Sequence, residues 1–146
     1  MPRVSIRIPW SYRTFLFLFI LLSWTTGIAF YILNNFIEME GEFGPQKHPW
    51  QYPLLKIHGA SAFLMMITYG YLLATHIPAG WKAKRSRKAG LLLVATQGFL
   101  IVTAYLLYYA GWEEEVRKYL VWTHASVGFT FPFLVALHIV SGRRRT

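Results

Sequence analysis

The chain has 146 residues, of which 55% are hydrophobic and 14% charged, and its formal net charge is +9. Nucleic-acid-binding proteins spread such a charge over a polar face, whereas here the charges are confined to short segments between long apolar runs, which excludes that class. The sequence has no cysteine, which excludes disulfides, thiolate metal sites, iron–sulfur clusters and covalent c-type haem attachment.

Four apolar stretches are each long enough to cross a hydrocarbon core, which takes about 20 residues of helix. None contains Asp or Glu, and their only Lys is Lys56, near one end. Pro53 marks the start of the second stretch, and Pro78 with Gly80 marks its end. The sequence therefore predicts an all-α fold: a single transmembrane domain over residues 1–146 that forms an integral membrane four-helix bundle. The predicted spans cover about residues 14–37, 54–77, 89–110 and 119–140.

The charges between the spans predict the orientation of the chain, because Lys and Arg collect in segments that are not translocated. The basic residues occupy the amino end, the second connector and the tail: Arg3, Arg7, Arg13, Lys82, Lys84, Arg85, Arg87, Lys88, Arg143, Arg144 and Arg145. All six acids lie in the first and third connectors: Glu38, Glu40, Glu42, Glu113, Glu114 and Glu115. We therefore predict that both termini are cytoplasmic. The span ends next to the acids are called the acidic side below, and the opposite ends the basic side.

Four of the five histidines lie in two of the predicted spans, and this pattern is the strongest functional signal. His58 and His76 fall in the second span, and His124 and His138 in the fourth. These two spans run in the same direction, because one crossing separates them. His58 and His124 are therefore predicted to face each other near the acidic side, and His76 and His138 near the basic side. His48, in a connector, is predicted to be an interfacial loop residue.

Helical phase places each pair of histidines on one face of its helix. His58 and His76 are 18 residues apart, which is five turns, and His124 and His138 are 14 apart, just under four turns. Haem iron takes an imidazole on either side of its plane, and helix bundles bind cofactors through facing helices. Small residues follow two of the histidines, beginning with Gly59 after His58. The pattern predicts two non-covalent b-type haems, with the four histidines as axial ligands.

The unequal spacing of the two pairs is the feature that fits least well. By helical rise, the pair on the second span is separated by about 27 Å and the pair on the fourth by about 21 Å. Tilt, and a kink predicted at Pro132 in the fourth span, would absorb part of the difference. A single haem, with the remaining histidines in structural roles, is the alternative, and His76 is the ligand most in question.

At the level of short motifs, the chain resembles the prokaryotic four-helix membrane b-type cytochromes. This superfamily includes the cytochrome b subunits of hydrogenases, formate dehydrogenases and thiosulfate reductases, and cytochrome b561-type proteins. The motifs are Lys56-Ile-His58-Gly59, Thr75-His76, Trp122-Thr-His124-Ala-Ser and Leu137-His138. The resemblance implies a bacterial inner-membrane protein that exchanges electrons with quinone. Several members place a ligand on the first helix, where this chain has no histidine.

The expected function is electron transfer across the bilayer between the quinone pool and a separate redox protein, either docked at the acidic side or within a larger membrane oxidoreductase. The sequence identifies no catalytic residue and leaves open a quinol or quinone oxidoreductase activity. Haem propionates are predicted to lie near bases at both sides: Lys56, Arg117 and Lys118 at the acidic side, Lys82, Arg143 and Arg144 at the basic side. Thr96, Gln97 and Thr103 offer polar contacts for quinone, although interhelical packing is the commoner use of such residues.

Two other classes compete with a cytochrome. A haem-free structural or assembly subunit of a membrane complex would have the same topology. A small transporter or channel is disfavoured, because proton-coupled transport usually places acids within the membrane and the predicted spans contain none.

Overall fold

The computed structural model describes residues 8–84 and 86–143 and is built mainly of long helices. Four apolar segments in it are long enough to cross a membrane, which confirms the predicted number of spans. The elements are α1 (Trp10–Phe36), β1 (Glu38–Gly41), β2 (Gly44–Lys47), α2 (Gln51–Ala74), α3 (His76–Lys82), α4 (Arg87–Tyr109) and α5 (Glu114–Arg143). Each of the four long helices begins before its predicted apolar limit, because the flanking residues continue the same backbone hydrogen bonding, and only α5 also ends beyond its limit.

The helices bury small polar side chains and expose large apolar ones. The buried polar residues are Ser23, Thr26, Ser61, Thr68, Thr96, Gln97 and Thr103. Leu21, Ile67 and Leu91, in contrast, are each more than half exposed. The hydroxyl of Thr26 donates to the Leu22 carbonyl at 2.6 Å, so its burial leaves no unpaired proton. This distribution is the one expected of helices surrounded by hydrocarbon, where apolar surface gains nothing from being hidden.

The described residues fall into two compact units, and residues 8–73 form one of them. Within it, α1 and α2 run antiparallel. The Tyr12 and Tyr71 rings lie with their centres 4.0 Å apart near one end, and the Ser23 carbonyl, midway along α1, accepts a hydrogen bond from His58 of α2. The two helices therefore contact each other at these two points.

A short β-hairpin joins α1 to α2, which the all-α prediction missed. Strands β1 and β2 pair antiparallel, with Gly41 opposite Gly44 at the turn, and Gly44 adopts a φ of 111° that favours glycine. Asn34 ties the hairpin to both helices. Its carbonyl accepts a hydrogen bond from Lys47 Nζ at 3.1 Å, and its side-chain oxygen accepts one from Gln51 Nε2. The strands lack the alternating apolar residues by which a strand is predicted.

The second unit, residues 74–143, contains α3, α4 and α5. Helices α4 and α5 pack antiparallel. Thr103 meets His124, Leu100 lies close to Gly128, and Gly90 lies against His138, so that residue numbers rise along one helix as they fall along the other. The α4 carbonyls at the connector are satisfied by Trp112 Nε1, which donates to the Leu106 carbonyl at 3.1 Å.

The predicted second span is interrupted at Thr75, although it was expected to be one helix. Thr75 has φ −121° and ψ −65°, and α3 begins at the next residue, His76. Pro78 explains the break, because it has no N–H to donate to the Ala74 carbonyl and its ring crowds that carbonyl. The 27 Å separation derived for His58 and His76 assumed an unbroken helix and therefore does not apply.

Replacing Pro78 with alanine is expected to close this break. The new amide would donate to Ala74, and helical stability would rise, because proline inside a helix costs about 3 kcal/mol. Amide hydrogen exchange by NMR in detergent micelles would show protection at residue 78. Pro53→Ala is the matched control, since Pro53 lies in the first turn of α2, where amides have no intrahelical partner. An unprotected amide at 78 would show that Pro78 does not cause the interruption.

Candidate functional site

The histidines of α5 lie on the face of that helix that is turned inward. His124, Phe131 and His138 recur every seven residues, and Phe131 is buried. On α2, His58 shares its face with Ser61, Met65 and Thr68, all of which are buried. His58 therefore lies on the buried stripe of α2, and His124 and His138 lie on the stripe of α5 that carries Phe131. The phase predicted for His58 and His76 assumed one continuous helix, and His76 lies in a separate helix, α3.

His76 and His138 lie side by side in the second unit. Their ring centres are 6.3 Å apart, and the ring planes are inclined at 79°. Two imidazoles bound to one iron from opposite sides, each through a nitrogen at about 2.0 Å, also have ring centres roughly 6 Å apart. A contact between two rings edge to face has a similar spacing. The separation is thus compatible with both a ligand pair and a simple ring contact.

The His138 ring lies against a glycine of the neighbouring helix. Gly90 of α4 faces it, and a Cβ at Gly90 would lie 3.7 Å from His138 Cε1. The Nδ1 atom of His138 is buried and has no hydrogen-bond partner among the described residues. A buried imidazole nitrogen without a partner costs free energy, unless a group not present in the protein chain completes the site.

His58 is held firmly by α1. Its Nδ1 lies 2.8 Å from the Ser23 carbonyl oxygen, and because a carbonyl only accepts, Nδ1 carries the proton and donates it. The ring also lies directly against Gly27, where a Cβ would approach Nδ1 and Cε1 to 2.9 Å. In neutral imidazole with a protonated Nδ1, the lone pair is on Nε2, the nitrogen that usually binds haem iron.

His124 is held by α4 through Thr103. Thr103 Oγ1 lies 2.7 Å from His124 Nδ1 and 2.8 Å from the Phe99 carbonyl oxygen. The hydroxyl has one proton, and when it is donated to Phe99 the oxygen accepts from Nδ1. The same tautomer then results as at His58, with the lone pair on Nε2.

The structure therefore brings together one of the two predicted pairs. His76 and His138 are neighbours within one unit, whereas His58 and His124 belong to different units, and their pairing stays a prediction from sequence. Gly59 follows His58 within α2 and is half-buried. Its role beside a cofactor also stays a prediction.

The bases predicted to meet propionates have varied surroundings. Lys56 Nζ lies 4.6 Å from the centre of the Tyr52 ring, and Arg117 Nη1 donates to the Leu107 carbonyl at 3.1 Å. Lys82 is exposed in the last turn of α3. The side chain of Arg143 and all of Arg144 lie outside the described residues. Arg117 thus has a structural role at the end of α4, and no propionate contact is established for any of the predicted bases.

The polar residues considered for quinone face the interior and not the lipid. Thr96, Gln97 and Thr103 are all buried on α4. A separate cavity of about 530 Å³ opens along the acidic-side halves of α4 and α5. The side chains that line it are Phe99, Glu115, Lys118, Tyr119, Trp122, Thr123, Ser126 and Val127. Its volume lies within the range of small-molecule sites, and Ser126 lies about half a turn of α5 away from His124.

Sequence reasoning missed the residues that orient the histidines. Ser23, Gly27 and Gly90 were not singled out, and Thr103 was named only as a polar contact for quinone or, more commonly for such residues, for interhelical packing. A usable signal was present: Ser23, Thr26 and Gly27 are small residues at helical spacing in a span otherwise rich in Phe, Leu and Ile. His48 behaves as a loop residue, since its Nδ1 accepts the Trp50 amide at 3.2 Å.

A metal ion held by protein side chains alone is not indicated. Within residues 8–84 and 86–143, no three His, Asp or Glu side chains come together as a metal-binding group. A pair of imidazoles suits instead a metal whose remaining ligands come from a cofactor, as in haem.

Comparison of the chain with protein-family models, curated proteins and solved structures gives no match. Function is therefore inferred from the residues and their geometry.

Replacing Gly27 with alanine is expected to destabilise the protein by displacing His58. The added methyl would meet the imidazole at 2.9 Å, and overpacking of this kind costs about 1–3 kcal/mol. Gly70→Ala on α2 is the matched control, because a Cβ there meets nothing within 4 Å, and alanine favours helix by about 1 kcal/mol. Thermal unfolding in detergent should show a lower midpoint for G27A and an equal or higher one for G70A. Equal midpoints in both variants would rule out a close His58–Gly27 contact.

Proposed function

We propose that this chain is a b-type membrane cytochrome that carries electrons across a bacterial inner membrane between the quinone pool and a partner redox protein. The observation that carries the proposal is the His76–His138 pair, whose ring centres are 6.3 Å apart. It is supported by the hydrogen bonds that fix Nδ1 of His58 and His124, because ligand histidines usually donate that proton to a carbonyl or a hydroxyl.

Haem bound by two histidines supplies a one-electron couple with no open coordination position, which favours electron transfer over oxygen chemistry. The chain's part is to present imidazole lone pairs, orient the rings and exclude water. Ser23 and Thr103 orient two of the rings, and Gly90 places no side chain against His138. The buried hydroxyls of Thr26 and Thr103 donate to carbonyls of their own helices, so their protons are not available to bond the imidazole lone pairs.

The lipid-side partner in this proposal is quinone, and the cavity between α4 and α5 is its proposed site. Trp122 and Phe99 provide apolar walls, and Thr123 and Ser126 provide hydroxyls for a carbonyl or hydroxyl head group. The cavity is lined by exposed residues, which suits a ligand that arrives from the membrane.

The partner redox protein is proposed to be basic and to dock at the acidic side. Glu38, Glu40 and Glu42 on and beside the hairpin are exposed, as are the acids before and in the first turn of α5. Complementary charge steers such encounters and fixes their orientation. The proposed orientation, with cytoplasmic termini, follows from the positive residues of the other side.

A one-haem version of the same function is the second candidate. It is favoured by one observation, that His76 and His138 are the ligand pair found within a single compact unit. Haem content decides between the two.

Purified protein is expected to contain two haems per chain and to show a reduced bis-histidine b-type spectrum. His138→Ala should remove one haem, because iron would lose one of two axial ligands. Pyridine hemochromogen assay with protein quantification gives the ratio. His48→Ala is the control and should keep both haems, since His48 bonds the Trp50 amide in a connector.

One haem in the unaltered protein, lost in H138A, would select the one-haem version. Protein without haem, correctly inserted in the membrane, would exclude the cytochrome and leave a structural subunit.

Filling the cavity is expected to slow reduction by quinol. Ser126→Leu projects a larger side chain into the site, and expelling or compressing a ligand in this way costs about 1–3 kcal/mol, or roughly tenfold in rate. Stopped-flow absorbance would follow haem reduction by a soluble quinol. Thr130→Leu, at an exposed position one turn further along α5 and outside the cavity lining, is the control. Equal rates in S126L and T130L would place quinone elsewhere.

A further inference from the structure

The two histidines of α5 have different hydrogen-bonding environments at Nδ1. His124 Nδ1 lies 2.7 Å from Thr103 Oγ1. His138 Nδ1 is buried and has no hydrogen-bond partner in the part of the chain that the structure describes. Both rings lie in the same unit and on the same face of one helix, so the contrast comes from the facing helix α4, which offers a hydroxyl at Thr103 and a bare glycine at Gly90.

Thr103 acts as a relay because its own proton already has an acceptor. The hydroxyl lies 2.8 Å from the Phe99 carbonyl and 3.2 Å from the Leu100 carbonyl, and Thr103 is 4% exposed. When Nε2 of neutral His124 binds a metal, the remaining proton must be on Nδ1. It is then donated to Thr103 Oγ1, and the Thr103 proton goes to the Phe99 carbonyl. Each donor in this chain has an acceptor.

A histidine that donates its second N–H is a more basic ligand, and a more basic ligand favours the higher oxidation state of its metal. We infer that Thr103 is a positioning residue that lowers the reduction potential of the haem bound by His124. The inference rests on the proposed function. The Nδ1 atom of His138 has no hydrogen-bond acceptor among the described residues. The lower of the two haem reduction potentials is therefore assigned to the haem bound by His124.

The test is a spectroelectrochemical redox titration of the haem-loaded protein, comparing Thr103→Val with the unaltered chain. Valine has the same shape as threonine but no oxygen, so packing is kept and the acceptor is lost. The lower midpoint should rise and the higher one should stay. A tenfold change in the relative affinity for oxidised and reduced haem corresponds to about 59 mV for one electron.

Two control variants separate this role from packing. Thr103→Ser keeps the hydroxyl and should keep the midpoint of the unaltered protein. Thr96→Val removes another buried α4 hydroxyl, which bonds the Leu92 carbonyl at 2.8 Å, and should leave both midpoints unchanged. If T96V moves the lower midpoint as far as T103V does, the effect is a general one of lost polarity and the inference is wrong.

The hydrogen bond itself can be measured without haem. Long-range ¹H–¹⁵N correlation spectra of the haem-free protein distinguish the two imidazole tautomers, and His124 should change its tautomer balance in T103V but not in T103S. If haem binds and both midpoints ignore T103V, the inference falls while the cytochrome stands. If no haem binds, the proposed function fails, and the inference about the reduction potential fails with it. The tautomer spectra then report only whether Thr103 bonds His124.

Discussion

Imidazole rings inside an apolar interior need partners for their nitrogens, and the orientation of His58 and His124 follows from that need. His58 obtains its partner from the Ser23 backbone and His124 from the Thr103 hydroxyl, in both cases on a helix that has no histidine. The histidine-free helices α1 and α4 thus orient the imidazoles of the helices packed against them. Since an unpaired buried polar group costs about 1–3 kcal/mol, these contacts also determine which nitrogen of each ring keeps its lone pair.

Glycine is the second requirement, because a ring held by a neighbouring helix needs space on that helix. Gly27 provides this space for His58, where an added Cβ would collide with the ring. Gly90 provides it for His138, where an added Cβ would just touch the ring. The tighter contact belongs to the histidine that is anchored by a backbone carbonyl. Close helix approach and a short hydrogen bond therefore occur together at His58, and the ring has little freedom to turn.

Periodicity and apolar length were enough to predict the four long apolar segments and the common face of His124 and His138 on α5, because both depend on local spacing. The hairpin was missed because its strands contain Glu, Gly, Pro and Lys, with no alternating apolar pattern. The end of the second helix was predicted a few residues too late, at about residue 77, whereas α2 ends at Ala74. The reason is that Pro78 acts on a carbonyl four positions earlier. The partners of the rings were beyond prediction for another reason: Ser23 and Thr103 are separated from their histidines by 35 and 21 residues, and only packing brings them together.

The interruption at Thr75 has an evolutionary consequence. His76 opens a helix of seven residues, and the connector that follows is fastened by Arg87, whose guanidinium donates to the Trp81 carbonyl at 2.6 Å and stacks on the Trp81 ring. The local backbone at His76 is therefore determined by Pro78 and this connector, and not by the 24 residues of α2. Insertions or substitutions in α3 or its connector would change the position of the His76 imidazole and leave the contacts of His58 unchanged. The two ends of this apolar span are therefore free to diversify in sequence at different rates.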